Sequence, residues 1–374
     1  MLAKSNVRKN LIIFLILGFI LLSSCIGYSD DALIQISILL DTSNSMDGLI
    51  DQAKTQVWKI VNELALAEWN GTSPMLEVGL YEYGNDSLNP GEGFVRMVVP
   101  LTSDLDKVSE ELFNLTTNGG SEYCGTVIHR AVHGLDWSSN PDHLKLIFIA
   151  GNEEFTQGNI DFNNACRDAI SSGIIVNTIF CGNIDEGIRV MWKQGADLSD
   201  GKYMNIDQNI QIVYIEAPQD EEIRMLGEQI NGTYIPYGDF GDDYSARQEA
   251  QDLNAMSMSE EAIVQRSISK AQYFYSNSGW DLIDALADGV VELDEVEEDE
   301  LPEEMKNMTD EEKEQYVDEK LYEREQIQNR INELNEERRT YIENQTQNSA
   351  ENTLDSAIIN AIHEQAIENN FTFN

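Results

Sequence analysis

The chain has 374 residues, with 67 Asp and Glu against 24 Lys and Arg, and a formal net charge of −43 at pH 7. A field of that sign repels nucleic acid and anionic membrane surfaces and favours divalent cations or basic partners. Only 4 histidines are present, which argues against a histidine-rich metal centre, and the length allows one large domain or two smaller ones.

The first residues carry Lys4, Arg8 and Lys9, then an almost unbroken apolar run over 11–22, then Leu22-Ser23-Ser24-Cys25. The run is short for a membrane span. The order basic, apolar, small is that of a secretory signal, and Leu-Ser-Ser-Cys resembles the bacterial lipobox. Residues 1–24 are therefore expected to be a lipoprotein signal peptide and Cys25 to carry lipid. Residues 25–32 read as a tether, so the remaining chain is expected at the cell envelope, outside the cytoplasm.

A buried strand over 33–40 ends in Asp41-Thr42-Ser43-Asn44-Ser45, and a helix follows with Leu49, Ile50, Ala53, Val57, Ile60, Val61 and Leu64 at helical spacing. Residues 76–83 alternate as a strand, and 94–101 read as an antiparallel edge strand. A helix over 105–115 is capped by Thr102-Ser103-Asp104. The glycine-bearing loop 117–125 opens a helix that runs to about residue 135. Strands over 144–150 and 174–181 alternate with helices over 162–171 and 186–196, and 201–206 read as the last strand. Strands this uniformly apolar, alternating with helices, predict an α/β fold with a doubly wound, mostly parallel sheet covered by helices on both faces.

Residues 33–238 form the expected α/β domain. Residues 239–291 read as a helical extension, the acid-rich run 292–304 as a solvated linker, and 305–374 as a charged helical region. The stripe Ile327, Ile331, Leu334 and Tyr341 suits a hairpin or a short coiled coil. Phe371-Thr372-Phe373 predicts a tail that docks on something.

The strand end delivers Asp41, Ser43 and Ser45 to the edge where ligands bind in open α/β sheets. All three offer hard oxygen donors, suited to Mg²⁺, Mn²⁺ or Ca²⁺. Asp-x-Ser-x-Ser at this place resembles the metal-ion-dependent adhesion site of the von Willebrand factor type A (VWA) family. The segments Asn118-Gly-Gly-Ser-Glu-Tyr-Cys-Gly and Phe148-Ile-Ala-Gly-Asn-Glu resemble those of exported bacterial VWA-domain proteins. So does Glu333-Leu-Asn-Glu-Glu-Arg. The resemblance implies two further ligand loops. In the second, Glu122 stands where the family usually has threonine. In the third, the aspartate position falls near Gly151, so Asn152 or Glu153 must substitute, and Glu153 completes the expected set. The function so implied is protein–protein binding, a cation bridging the domain to a partner's carboxylate. The alternative is a metal-independent scaffold subunit of an envelope complex that acts through its C-terminal helices.

Three cysteines follow Cys25: Cys124, Cys166 and Cys181. Spacing does not decide their pairing; Cys166–Cys181, both towards one sheet edge in a right-handed βαβ layout, is the expected disulfide. Cys124 opens a helix, where a thiolate is favoured, but a structural role is expected. His129 and His133 are one helical turn apart, yet Arg130 stands where a zinc protease needs glutamate. They read as surface residues. Asp161, Glu153 and Glu154 read as chance carboxylate neighbours in so acidic a chain. No nucleophile–base set, phosphate loop or dinucleotide fingerprint is present, and no enzymatic activity is expected.

Overall fold

The computed structural model describes residues 32–47, 50–206, 214–347 and 354–373. The signal segment and Cys25 lie outside the described residues. The described residues from Leu33 onward form one compact unit.

Its centre is a six-stranded sheet of order β4-β3-β1-β5-β6-β7. The strands are β1 (Leu33–Asp41), β3 (Met75–Tyr83), β4 (Val95–Thr102), β5 (Leu144–Gly151), β6 (Ile175–Phe180) and β7 (Tyr203–Asn205). All pairings are parallel except β3 with β4, which is the antiparallel edge expected from the sequence. β1 lies between β3 and β5, with Ile36 opposite both Val78 and Leu146. Every residue of β5 is buried, as a central parallel strand with both faces covered requires. Its one cation, Lys145, reaches the carbonyls of Ser138 and Ser172 at 3.0 and 3.3 Å.

Helices α1 (Ile50–Ala65), α2 (Leu105–Asn114), α3 (Cys124–Gly134) and α4 (Phe162–Ser171) cover the sheet. α3 buries Val127, Ile128, Ala131 and Val132, and α4 buries Phe162, Ala165, Cys166 and Ala169 in the same core. The single helix expected over 186–196 is two, α5 (Ile184–Arg189) and α6 (Trp192–Asp197). Met191 between them takes a left-handed φ of 75°. The break turns Trp192 into the core, where its ring packs against Phe155 and Phe180.

The C-terminal half packs onto the sheet domain. α7 (Asp220–Gln229), α9 (Glu260–Lys270) and α11 (Asp310–Gln347) share a core of Ile223, Val264, Ile268, Ile327, Ile331 and Leu334. The stripe of α11 therefore packs within this chain. α8 (Gly241–Met258) lies in the stretch read as a helical extension, and its Arg247 holds Asp104 at 2.6 Å. Arg266 of α9, almost fully buried, meets Asp106 of α2 at 2.7 Å and Asp252 at 2.9 Å. Arg324 of α11 meets Asp281 at 2.7 Å and Asp284, on α10 (Leu282–Ala287), at 2.8 Å. The acid-rich run 292–304, expected as a solvated linker, turns its carboxylates outward but plants Leu301 in a core with Ile235, Leu282 and Met305. The tail docks as expected, and on its own domain: after α12 (Leu354–Glu368), Phe371 is buried and β8 (Thr372–Phe373) pairs with β2 (Ala67–Glu68).

The structure corrects the expected disulfide. Cys124, Cys166 and Cys181 are all free and buried. Cys166 is on the buried face of α4 beside Ser199, whereas Cys181 directly follows β6 with its N–H on Gly151 O at 2.8 Å. The crossover that brings both to one sheet edge leaves them packed against different neighbours.

Candidate cation site

Four loops meet at the C-terminal edge of β1. Parallel pairing carries Asp41 past the end of the apolar strand while its neighbours still hold it, since Thr42 N–H donates to Tyr83 O at 2.9 Å. Ser43 N–H turns back to Asp41 Oδ1 at 2.8 Å, an Asx-type turn that orients the carboxylate. The hydroxyls of Ser43 and Ser45 share a hydrogen bond at 2.7 Å. The second loop is laced to the first: Asn118 N–H donates to Thr42 O, and Asn44 N–H to Gly119 O, both at 2.9 Å. An isolated bridge between Gly84 and Ser121 then places Glu122 beside Asp41.

The two carboxyl groups are within hydrogen-bonding reach of each other and of Ser43. Asp41 is fully buried and Glu122 is 2 % exposed. Asp41 Oδ2 receives no hydrogen bond from any donor among the described residues. Burial raises the pKa of both groups, and the charge of Asp41 raises that of Glu122 further. Gly84 forms the wall: its φ is +80°, and a Cβ there would stand 2.7 Å from Asp41 Oδ1 and 2.8 Å from Glu122 Cγ. Only glycine fits that approach.

The third loop departs from the family pattern for a visible reason. A side chain at Gly151 would meet the Tyr83 hydroxyl at 2.4 Å and Asp41 Cβ at 3.1 Å. Tyr83 is held there by donating to Ala150 O at 3.0 Å. The residue that reaches the site is Asn152, which accepts from Ser45 Oγ at 2.8 Å and donates to Ser45 O at 3.0 Å. Glu153 stays exposed at the rim, where its charge is felt by both buried carboxylates. Its backbone carbonyl accepts from the Trp192 indole at 2.7 Å, so the broken helix above anchors this loop.

Asp41, Ser43, Ser45 and Glu122 thus converge, with Asn152 fixing Ser45. The donors are all oxygen and include a buried carboxylate oxygen without a partner. Such a set fits a hard dication and does not suit a soft one. Asp161 stands apart from this cluster and caps α4 through Asn163 N–H at 2.9 Å. Cys124 sits at 3.9 Å from the Tyr83 hydroxyl, and burial pushes its thiol well up, against a reactive thiolate.

The sequence profile of the von Willebrand factor type A domain matches residues 35–191. No curated protein matches the chain. Among solved structures, the conserved hypothetical protein BatB of Bacteroides thetaiotaomicron is similar at 18% identity, over 46% of this chain and 90% of that one, with a TM-score of 0.36. The VWA domain of SpRpn10 is similar at 14% identity, over 48% and 92%, with a TM-score of 0.37. Proximal thread matrix protein 1 of the mussel byssus, with a zinc-occupied adhesion-site motif, is similar at 9% identity, over 48% and 43%, with a TM-score of 0.34. On the sheet order, the strand-end loop and the profile match, residues 35–191 of this chain form a von Willebrand factor type A domain.

Proposed function

We propose that the chain is a lipid-anchored binding protein of the cell envelope, whose VWA domain holds a divalent cation and captures a protein partner beside it. The observation that carries this reading is the buried Asp41–Glu122 pair, in which one oxygen of Asp41 has no donor. Two carboxylates removed from water together require either a shared proton or a cation. Asp41 and Glu122 would hold Mg²⁺, Mn²⁺ or Ca²⁺, with Ser43 and Ser45 offering hydroxyls and Asn152 fixing Ser45. When bound, the cation supplies a coordination position for an oxygen of the partner, such as a carboxylate.

Glu122 in place of a hydroxyl residue makes the site more negative. It favours cation retention and weakens the pull on an acidic partner. The overall charge disfavours nucleic acid as that partner. The anchor rests on Leu22-Ser23-Ser24-Cys25 and the apolar run before it; among the described residues, no helix is long and apolar enough to cross a membrane. The role is one of binding; the carboxylates near the site serve as the pair itself, a rim charge and a helix cap.

The test is capture of envelope proteins by the full chain in Mg²⁺, repeated with chelator and with Asp41→Ala. The reading expects both to abolish the same captured species, and unchanged capture in either would overturn it. The scaffold alternative is not separated by deleting 310–374, because that removes Arg324 from the buried Asp281 and opens the core around Ile331. Charge reversals on the exposed face of α11, which keep the fold, separate the two: only the scaffold reading expects them to abolish capture.

A further inference from the structure

A second cluster of donors lies on the helical face of the domain, away from the sheet edge. His129 and His133 stand one turn apart on α3, on the flank left free by the buried Val127, Ile128, Ala131 and Val132. Their rings are 4.4 Å apart, tilted by 60°. Asp168 projects from the neighbouring helix α4, outside its own buried line of Ala165 and Ala169. Among the described residues, His129, His133 and Asp168 are the one group of three His, Cys, Asp or Glu side chains whose donor atoms all lie within 4.8 Å of one another.

The two helices are held this close by a specific contact. A Cβ at Gly125, in the first turn of α3, would stand 2.3 Å from Ile160 O and 3.0 Å from Phe162 N at the start of α4. The absent side chain lets α3 lie against the start of α4. Both helices are also pinned from beneath by the shared core. The donors therefore project from rigid elements, which is what a preorganised metal site needs.

We infer that His129, His133 and Asp168 form a binding site for a borderline transition-metal dication, with Zn²⁺ the best fit. Two imidazole nitrogens and one carboxylate oxygen are the donors such ions take, whereas Mg²⁺ and Ca²⁺ prefer oxygen alone. Tetrahedral ligands at about 2.0–2.1 Å from a zinc ion are about 3.3 Å apart. Metal binding then requires the three side chains to close from within 4.8 Å to that spacing by rotation about their own bonds. His133 and Asp168 are exposed and His129 is half-buried, so a remaining position faces solvent and accepts water or a donor from another molecule. The site is chemically distinct from the oxygen-lined edge, and the two lie towards opposite ends of α3: Glu122 just precedes the helix, and His133 is in its last turn.

The test uses the untagged full chain in excess Mg²⁺, so that the oxygen site is filled before Zn²⁺ is titrated by calorimetry. The wild type should bind one Zn²⁺, and His129→Ala/His133→Ala should lose that event. Asp168→Asn should weaken it about tenfold or more, and Asp41→Ala should retain it. His133 is exposed and His129 half-buried, both outside the buried line of α3, so circular dichroism of the double variant should match the wild type. In the Cu²⁺-loaded chain, electron paramagnetic resonance should show nitrogen hyperfine structure that the double variant lacks. Retention of the Zn²⁺ event by the double variant, which keeps His143 and His363, would overturn the inference. So would its loss in Asp41→Ala, which would assign the ion to the strand-end site.

Discussion

Asp41 and Glu122 face each other at the end of the central strand, both buried, and no other side chain or backbone group among the described residues donates to the second oxygen of Asp41. Several buried carboxylates in this chain are answered by arginine, as Asp106, Asp220 and Asp281 are. The Asp41–Glu122 pair has no such ion pair among the described residues, and it lies where four loops meet. That contrast sets it apart from the general acidity of the sequence.

The pair makes stability depend on pH in a definite direction. Burial and the neighbouring charge raise Glu122 to about 9, so the folded chain keeps a proton that the unfolded chain releases near 4.5. The folded state then binds more protons across that window, and its stability falls as pH rises through it. Without divalent cation, the melting temperature should drop between pH 5 and pH 9, by about 2–4 °C for each kcal/mol lost. Added Mg²⁺ or Mn²⁺ should restore most of the loss at pH 9, and Glu122→Gln should flatten the profile. Differential scanning calorimetry at both pH values checks this.

Gly84 is expected to be indispensable to the site as well as to the turn. Gly84→Ala combines a left-handed backbone with a methyl group pressed on both carboxylates, and should cost roughly 1–3 kcal/mol and weaken cation binding. Gly71 offers the control. Its φ is +79°, but a Cβ there meets nothing within 4 Å. Gly71→Ala should lower stability and leave cation affinity unchanged, as read by urea unfolding and calorimetric titration.

The helical half should behave as part of the domain. Arg266→Ala leaves Asp106 buried without that cation, and removing one partner of a buried pair costs about 3–5 kcal/mol. Arg324→Ala should cost a similar amount through Asp281 and Asp284. Both should melt in a single transition at lower temperature. A variant with two separated transitions would mean that the halves fold independently.

The three internal thiols should be silent. Burial raises Cys166 to about 12 and Cys181 higher still. A thiol reagent at pH 7.5 should leave Cys124, Cys166 and Cys181 unlabelled in the folded chain and label all three in denaturant. Peptide mapping without reduction should recover Cys166 and Cys181 on separate peptides.

The sheet was legible because its strands are buried on both faces: 33–40, 144–150 and 174–181 carry apolar runs that no half-exposed strand would need. Asp41, Ser43 and Ser45 were legible because they follow such a run directly, and Glu122 because a glycine pair marks its loop. Other features depend on contacts between distant segments. Asn152 and Glu153 are adjacent and equally polar, and only the position of Ser45 makes Asn152 the one that engages. The place of Gly84 as a wall depends on where Glu122 arrives. Asp168 meets His129 and His133 across two helices, and the sole local sign of that approach is Gly125. In 292–304 the density of acid hides Leu301, whose burial is set by residues 235 and 282. Cys166 and Cys181 share an edge by topology, and topology alone does not bring two sulfurs together.

Everything proposed for the strand-end site requires that Asp41 and Glu122 hold a divalent cation. Calorimetric titration of the full chain with Mg²⁺, Mn²⁺ and Ca²⁺ at pH 8, wild type beside Asp41→Ala, measures this without an intermediary. One binding event for at least one of these ions, lost in the variant, is the expected result. Absence of binding by the wild type, or equal binding by Asp41→Ala, would contradict it.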